Sequence, residues 1–300
     1  MSFKNAIKLV FSRFGLVWTK LLSVFLTTLL IASLCVDPVL DLYNWLVSVG
    51  FVGELSVVWE AYVGGGNFAS FIDSFIILIK RFFEYYATHP DILWNFTLRM
   101  GVLIMVLYKF ILTTFELCFS KQIFGIMSDN SRPQFWTTYI SQFTKALSYA
   151  LVKTVAFALY DMVTILVVYL VTIWLGGVLI LLPFAWAFVL IFFLTIRSSL
   201  FFAWTPYISV ENKGVVKSLG KSVVLFFKNF SKVFSAFLIG WICVVSLCSF
   251  STIFTFGVAL IIVIPISSIF LSFLNMTLFY SSNGMRYYMN DKIFDVNYIQ

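Results

Sequence analysis

Charged residues are scarce in this sequence of 300 residues, at 11% of the total against 61% hydrophobic. A soluble domain carries about 25% charged residues. A chain this poor in them, with apolar runs long enough to cross a bilayer, reads as an integral membrane protein. Histidine is nearly missing as well. His89 is the single example, in a predicted outer loop, which excludes histidine-based zinc sites and a Ser–His pair on the spans. The four cysteines, Cys35, Cys118, Cys243 and Cys248, lie in or at the edges of apolar stretches without metal-ligand spacing. They read as reduced packing residues, not as a disulfide framework. No HExxH, GxSxG or P-loop motif occurs, nor do paired aspartates on adjacent spans. The sequence names no catalytic residue, no metal ligand and no cofactor, and the expectation is a protein that is not an enzyme.

The charges that are present are sorted along the chain. The net charge of +7 comes from basic residues beside apolar spans, where the positive-inside rule accounts for them without invoking nucleic acid. The organising stretch runs from Glu211 to Cys248. With Lys213 set at zero and about 100° per residue, Lys217, Lys221, Lys228 and Lys232 fall in one arc with it. Val216, Leu219, Val223, Phe226, Phe227 and Phe230 fall opposite. Such a helix is expected to lie at the membrane surface, its apolar side toward the acyl chains and its lysines toward water or anionic lipid headgroups. From Val233 to Phe250 there is no charge, so the chain must then enter the bilayer.

Taken in order, residues 3–18 predict a first basic helix and about 19–36 the first span, stopped by Asp37-Pro38. Lys4, Lys8, Arg13 and Lys20 precede an apolar run ending at Cys35, in outline like a lipoprotein signal. Leu34 is too bulky for the position before the cysteine, so an uncleaved span is expected. Positions 37–92 are acidic, with Lys80 and Arg81 their only Lys or Arg, and are expected outside. Residues 39–60 and 67–86 read as two helices broken by Gly64-Gly65-Gly66, lying on the outer face or tucked against the bundle. Phe71–Leu78 has the length of a re-entrant piece. The second span is expected at 93–119, followed by an inside loop with Lys121, Arg132, Lys145 and Lys153. A weaker amphipathic helix at 138–152, spans at 154–173 and 178–204 around a tight Gly176-Gly177 turn, and spans at 233–251 and 257–280 complete the pattern. Grouped by role, a single membrane domain, 1–300, divides into 1–36, 37–92, 93–119, 137–207, 211–284 and a cytoplasmic tail, 285–300. The fold class expected is all-α, with six transmembrane helices and both termini cytoplasmic.

The order basic amphipathic helix, span, outer turn, span occurs three times. Ser128-Asp129-Asn130, Glu211-Asn212-Lys213 and Asn290-Asp291-Lys292 close the even spans. A three-fold parallel repeat, about an axis along the membrane normal, is the expectation. Within this pattern stand Pro206, Glu211, the Lys221-Ser222 pair and Lys228-Asn229-Phe230, followed by the apolar span. On these residues the chain, mainly over 200–250, resembles bacterial six-span membrane proteins of the uncharacterised YciC type. It is also similar to the membrane domain fused to some glycerophosphodiester phosphodiesterases, although it has no phosphodiesterase domain. The resemblance implies a six-helix fold in a bacterial cytoplasmic (inner) membrane.

Charges within spans are costly and so are candidates for function. Asp161 lies about eight residues from the inner end of its span, roughly 12 Å deep, and Arg197 reaches similar depth on the next span. An Asp161–Arg197 pair is geometrically reasonable. Lys109 and Asn275 reach comparable depth, with Glu116 nearer the inner surface, and Arg99 is expected to snorkel outward. Lys109, Asp161, Arg197 and Asn275 form the candidate polar site, able to hold a proton, an anion or a lipid headgroup. An interhelical salt bridge or snorkelling accounts for the same residues. The leading expectation is a non-enzymatic membrane protein that binds lipid or a membrane-protein partner in envelope organisation or assembly. The alternative is a small-solute or lipid transporter built on the four polar residues.

Overall fold

The computed structural model describes residues 2–88, 90–129, 131, 133–175, 181–289 and 292–294. Among them, six helices are long and apolar enough to cross a membrane, which marks an integral, multi-pass membrane protein. Two compact units are present, one of residues 1–27 with 109–300 and one of residues 28–108.

The larger unit opens with α1 (Ser2–Ser12). The helix stops there, short of the expected residue 18, and α2 (Gly15–Ser48) begins after a break at Arg13-Phe14. The break lets α1 turn its Ala6, Leu9 and Val10 side onto α12 (Leu260–Ser282), so this face is buried in protein and not in acyl chains. Phe3 meets Phe270 edge-on at 5.3 Å, and Asn5 Nδ2 donates to the Tyr287 hydroxyl at 2.7 Å. The expected stop at Asp37-Pro38 does not occur, because α2 runs through Pro38 to Ser48. A proline removes one backbone donor and crowds one carbonyl, a local loss that a long apolar helix tolerates.

The second span likewise outruns its expected end at 119. Helix α5 (Pro90–Gly101) passes through a π-helical stretch, Val102–Tyr108, into α6 (Lys109–Asp129). Lys121 does not end it, since its ammonium donates to the Ser209 carbonyl at 2.9 Å. The amphipathic helix at 138–152 and the span at 154–173 are one helix, α7 (Phe135–Leu175). No glycine or proline interrupts these 41 residues, about 60 Å of helix, so nothing breaks it at the membrane surface. Helix α8 (Leu182–Leu200) follows, then the short α9 (Trp204–Ser209), α10 (Val215–Lys228) and α11 (Phe230–Thr255). The turn expected at Ser251–Thr255 sits further on, where Phe256 and Gly257 adopt φ of 48° and 86°. The tail is not wholly irregular or helical: β1 (Tyr287–Met289) pairs antiparallel with β2 (Lys292–Phe294), Tyr287 opposite Phe294. The Gly176-Gly177 turn, and with it His89, Asn130, Arg132, Asn290 and Asp291, lies outside the described residues.

The core of this unit centres on α12, where Phe273, Leu274, Leu278 and Phe279 are fully buried against Leu9, Phe237 and Phe202. Gly240 lets α11 approach, because a Cβ there would lie 3.3 Å from Leu274 Cδ2. The outward surfaces of the spans are apolar, with Phe188, Ile253 and Phe254 at least 70% exposed. Only a surrounding hydrocarbon phase makes that exposure favourable.

In the smaller unit, α3 (Phe51–Val63) and α4 (Phe68–Thr88) form a hairpin. Residues 39–48, expected to share the first of these helices, belong to α2. Arg81 pairs with Glu54 across the hairpin, and Tyr62 packs on Phe71 at 4.6 Å. In the Gly64–Gly66 turn, Gly65 has φ of 101° and a Cβ on Gly66 would sit 2.5 Å from the Ala61 carbonyl oxygen.

Candidate functional site

Lys109 and Glu116 are seven residues apart on α6, hence on one face, while Lys153 and Asp161 are eight apart on α7. The helices run antiparallel as neighbours, and the two sets of charges meet in opposite order. Lys109 pairs with Asp161, and Lys153 with Glu116. Each carboxylate has further company. Arg197 on α8 donates to Asp161 Oδ1 at 2.7 Å, with its guanidinium 5.0 Å from the centre of the Phe157 ring. The Tyr149 hydroxyl donates to Glu116 Oε2 at 3.3 Å. Lys20 of α2 is 5% exposed, lies 4.9 Å over the Phe119 ring and feels the charge of Glu116.

These groups border a cavity of about 500 Å³ walled mainly by α6, α7, α8, α11 and α12, with Thr205 contributed by α9. Lys109, Glu116, Lys153, Arg197 and Asn275 line it, whereas Asp161 stands behind Arg197 and Lys109 and does not. Of the four candidate residues, three therefore open onto one space and the fourth is held by two of them. Asn275 Oδ1, Thr154 Oγ1 and Ser267 Oγ are buried in the lining without a hydrogen-bond partner among the described residues. Such orphaned groups cost free energy unless something else meets them. The lining thus mixes charged and polar groups with the aromatic side chains of Phe157, Phe201, Phe237 and Trp241.

Helical depth alone put Asp161 and Arg197 within reach. It did not find the Lys109–Asp161 and Lys153–Glu116 pairs or the role of Lys20. The signal was available for the first two: opposite-sign charges at matching intervals, read in reverse order on two helices joined by a short connection. Lys20 carries no such signature, since its burial depends on how α2 packs.

The surface lysines do not make one strip. Lys213 precedes α10, pairs with Glu211, and sits 5.1 Å over the Tyr207 ring, where Lys221 also reaches at 5.8 Å. The neighbouring Lys221 group, then desolvation, hold the Lys213 amine below its ordinary value. Lys217 and Lys228 point outward. Lys232 belongs to α11 and donates to Ser281 Oγ at 2.6 Å, at the C-terminal end of α12, where a cation is favoured. The buried side of α10 is not the expected apolar arc either. Ser218, Ser222, Leu225 and Phe226 face the protein, leaving Val216 and Phe227 exposed. The serines allow this close seat. Ser222 Oγ donates to the Leu200 carbonyl at 3.0 Å and accepts from the Ala203 N–H at 3.2 Å, satisfying the end of α8. Trp204 Nε1 donates to the Val215 carbonyl at 2.9 Å.

No family model, curated protein or solved structure matches this chain.

Proposed function

We propose that this multi-pass membrane protein holds the polar end of a lipid in the cavity between α6, α7, α8, α11 and α12, without acting as an enzyme. The observation that carries this reading is the lining itself: basic and acidic side chains, and hydroxyls without a partner among the described residues, beside aromatic rings, inside a bundle with an apolar exterior. An amphiphile supplies both kinds of partner at once. The shared Asp161 contact favours a fixed binding site over a moving one, because separating it strands two cations. Basic flanks on the spans support an orientation with both termini cytoplasmic; a bacterial inner membrane is proposed on the resemblance to YciC-type proteins. That residues 200–250 are the part shared with YciC-type proteins is proposed on Pro206, Glu211, Lys221-Ser222 and Lys228-Asn229-Phe230 alone. Of the three expected copies of the repeat, two are proposed, in α1–α2 and α10–α12, since the α7 copy lacks a separate surface helix. Envelope organisation or assembly, with or without a membrane-protein partner, is the role such a binder would serve.

Transport is the second reading, favoured because three of the four polar candidates open onto one cavity. Native mass spectrometry of the protein extracted from its own membrane, with lipids retained, tests the first. A lipid that stays bound and is lost in Arg197→Gln supports it, and an empty cavity with full stability refutes it. Lipid or solute flux in reconstituted vesicles, lost in the same variant, moves the conclusion to transport.

A further inference from the structure

The charges around the cavity do not balance. Lys109 and Arg197 share the single carboxylate of Asp161, and Lys153 and the buried Lys20 both act on that of Glu116. Lys109, Lys153 and Arg197 line the cavity against Glu116 alone. With Asp161 held by two of them and Lys20 buried outside the lining, the formal count over the two clusters is four positive charges to two negative. Unneutralised charge in such surroundings is costly, and among the described residues no carboxylate besides Glu116 lines the cavity. Resting on the reading of this cavity as a headgroup site, we infer that its ligand is a phosphate monoester dianion, the headgroup of a phosphatidic-acid-type lipid or a free phosphate group. A phosphate monoester carries about −1.5 to −2 at neutral pH. A phosphodiester headgroup carries one negative charge and leaves the site half compensated. The donors suit the same group: Arg197 offers a guanidinium fork, Lys109 and Lys153 ammonium groups, and Thr154 and Ser267 hydroxyls that bond nothing else among the described residues. Phe237 and Trp241, both on α11, are the apolar part of the lining against which an acyl chain would run.

The experiment is competitive lipid binding to the full-length protein in nanodiscs, read by native mass spectrometry. Dioleoyl phosphatidic acid, phosphatidylglycerol and phosphatidylcholine with the same chains are compared. Phosphatidic acid is expected to outcompete phosphatidylglycerol by about 10-fold or more, the effect of one additional charge-assisted hydrogen bond. Lys153→Gln removes one unit of the excess and should shrink that preference to about 3-fold or less. Should this variant fail to fold, Thr154→Val with Ser267→Ala removes two donors without altering charge, and weaker phosphatidic acid binding is again expected. Lys217→Gln with Lys228→Gln alters only outward lysines and should leave the preference intact. Inorganic phosphate that displaces the lipid assigns the site to the phosphate group from either source. Failure to displace assigns it to the lipid. Equal binding of phosphatidic acid and phosphatidylglycerol overturns the dianion inference and leaves headgroup binding standing. Equal binding of all three lipids, unaffected by Arg197→Gln, overturns both.

Discussion

Replacing Asp161 by alanine removes the one carboxylate that Lys109 and Arg197 share. Neither cation has a second ion pair among the described residues, and Arg197 retains only its contact with the Phe157 ring. The side chains of Asp161 and Arg197 are 18% and 20% exposed, so water replaces the lost carboxylate poorly at Arg197. Lys109, at 35%, can rehydrate more easily. Breaking a buried pair from one side costs about 3–5 kcal/mol, and the partial exposure of Lys109 puts the expected loss at the lower end, about 3 kcal/mol. Equilibrium unfolding in mixed SDS–detergent micelles, followed by tryptophan fluorescence, reads this directly. Asp161→Ala combined with Arg197→Leu removes the stranded guanidinium and should recover about 2 kcal/mol, since an apolar replacement of a buried ion pair is often neutral. Adding Lys109→Met should recover the rest. A loss below about 0.5 kcal/mol in the single variant, the range of ordinary surface substitutions, would show that the three groups are not held together. So would a double variant no more stable than the single.

Other perturbations test the packing around the site. Ser222→Ala leaves the Leu200 carbonyl and the Ala203 N–H buried without their partner, and should cost about 1–3 kcal/mol in the same unfolding assay; an unchanged midpoint would mean α10 is not seated there. Burial raises the Tyr287 pKa above its ordinary value of 10.0, against a smaller opposing effect of the Asn5 hydrogen bond. Its contribution to stability is therefore complete below pH 10 and lost as pH climbs through the folded-state value. Tyr287→Phe should be less stable by about 1 kcal/mol at pH 8 and should lose the alkaline decline, measured as thermal midpoint against pH from 8 to 11. In the smaller unit, Gly66→Ala drives a methyl group into the Ala61 carbonyl oxygen. Faster amide exchange over residues 61–70 is the expected result, and unchanged exchange would refute the turn geometry.

Much of the architecture is legible in the chain because the bilayer imposes a simple rule: about 20 apolar residues per span with every backbone group bonded within its helix. That rule yields the six hydrophobic helices. It does not yield their ends. From composition, helices are expected to stop at Asp37-Pro38, at Phe119 just before Lys121, and before Thr154, where a charge or a proline marks the water boundary, yet the helices continue past all three. A membrane surface changes the solvent of a helix without breaking its hydrogen bonds, so composition marks the crossing and not the terminus. The surface helices show the same limit. An apolar arc on α10 says that one side is covered, but whether lipid or protein covers it depends on neighbours that one helix cannot specify.

By itself, then, the sequence determined the class of protein and the number of apolar helices, both of which follow from local composition and the length of helix a bilayer requires. Tertiary structure decided the rest. It set Lys109 beside Asp161 and Lys153 beside Glu116 through the antiparallel α6–α7 contact, buried Lys20, and left a polar cavity where five helices fail to close. The two ion pairs join residues 52 and 37 positions apart, and a side chain's solvent, partners and charge balance exist only once packing has chosen its neighbours.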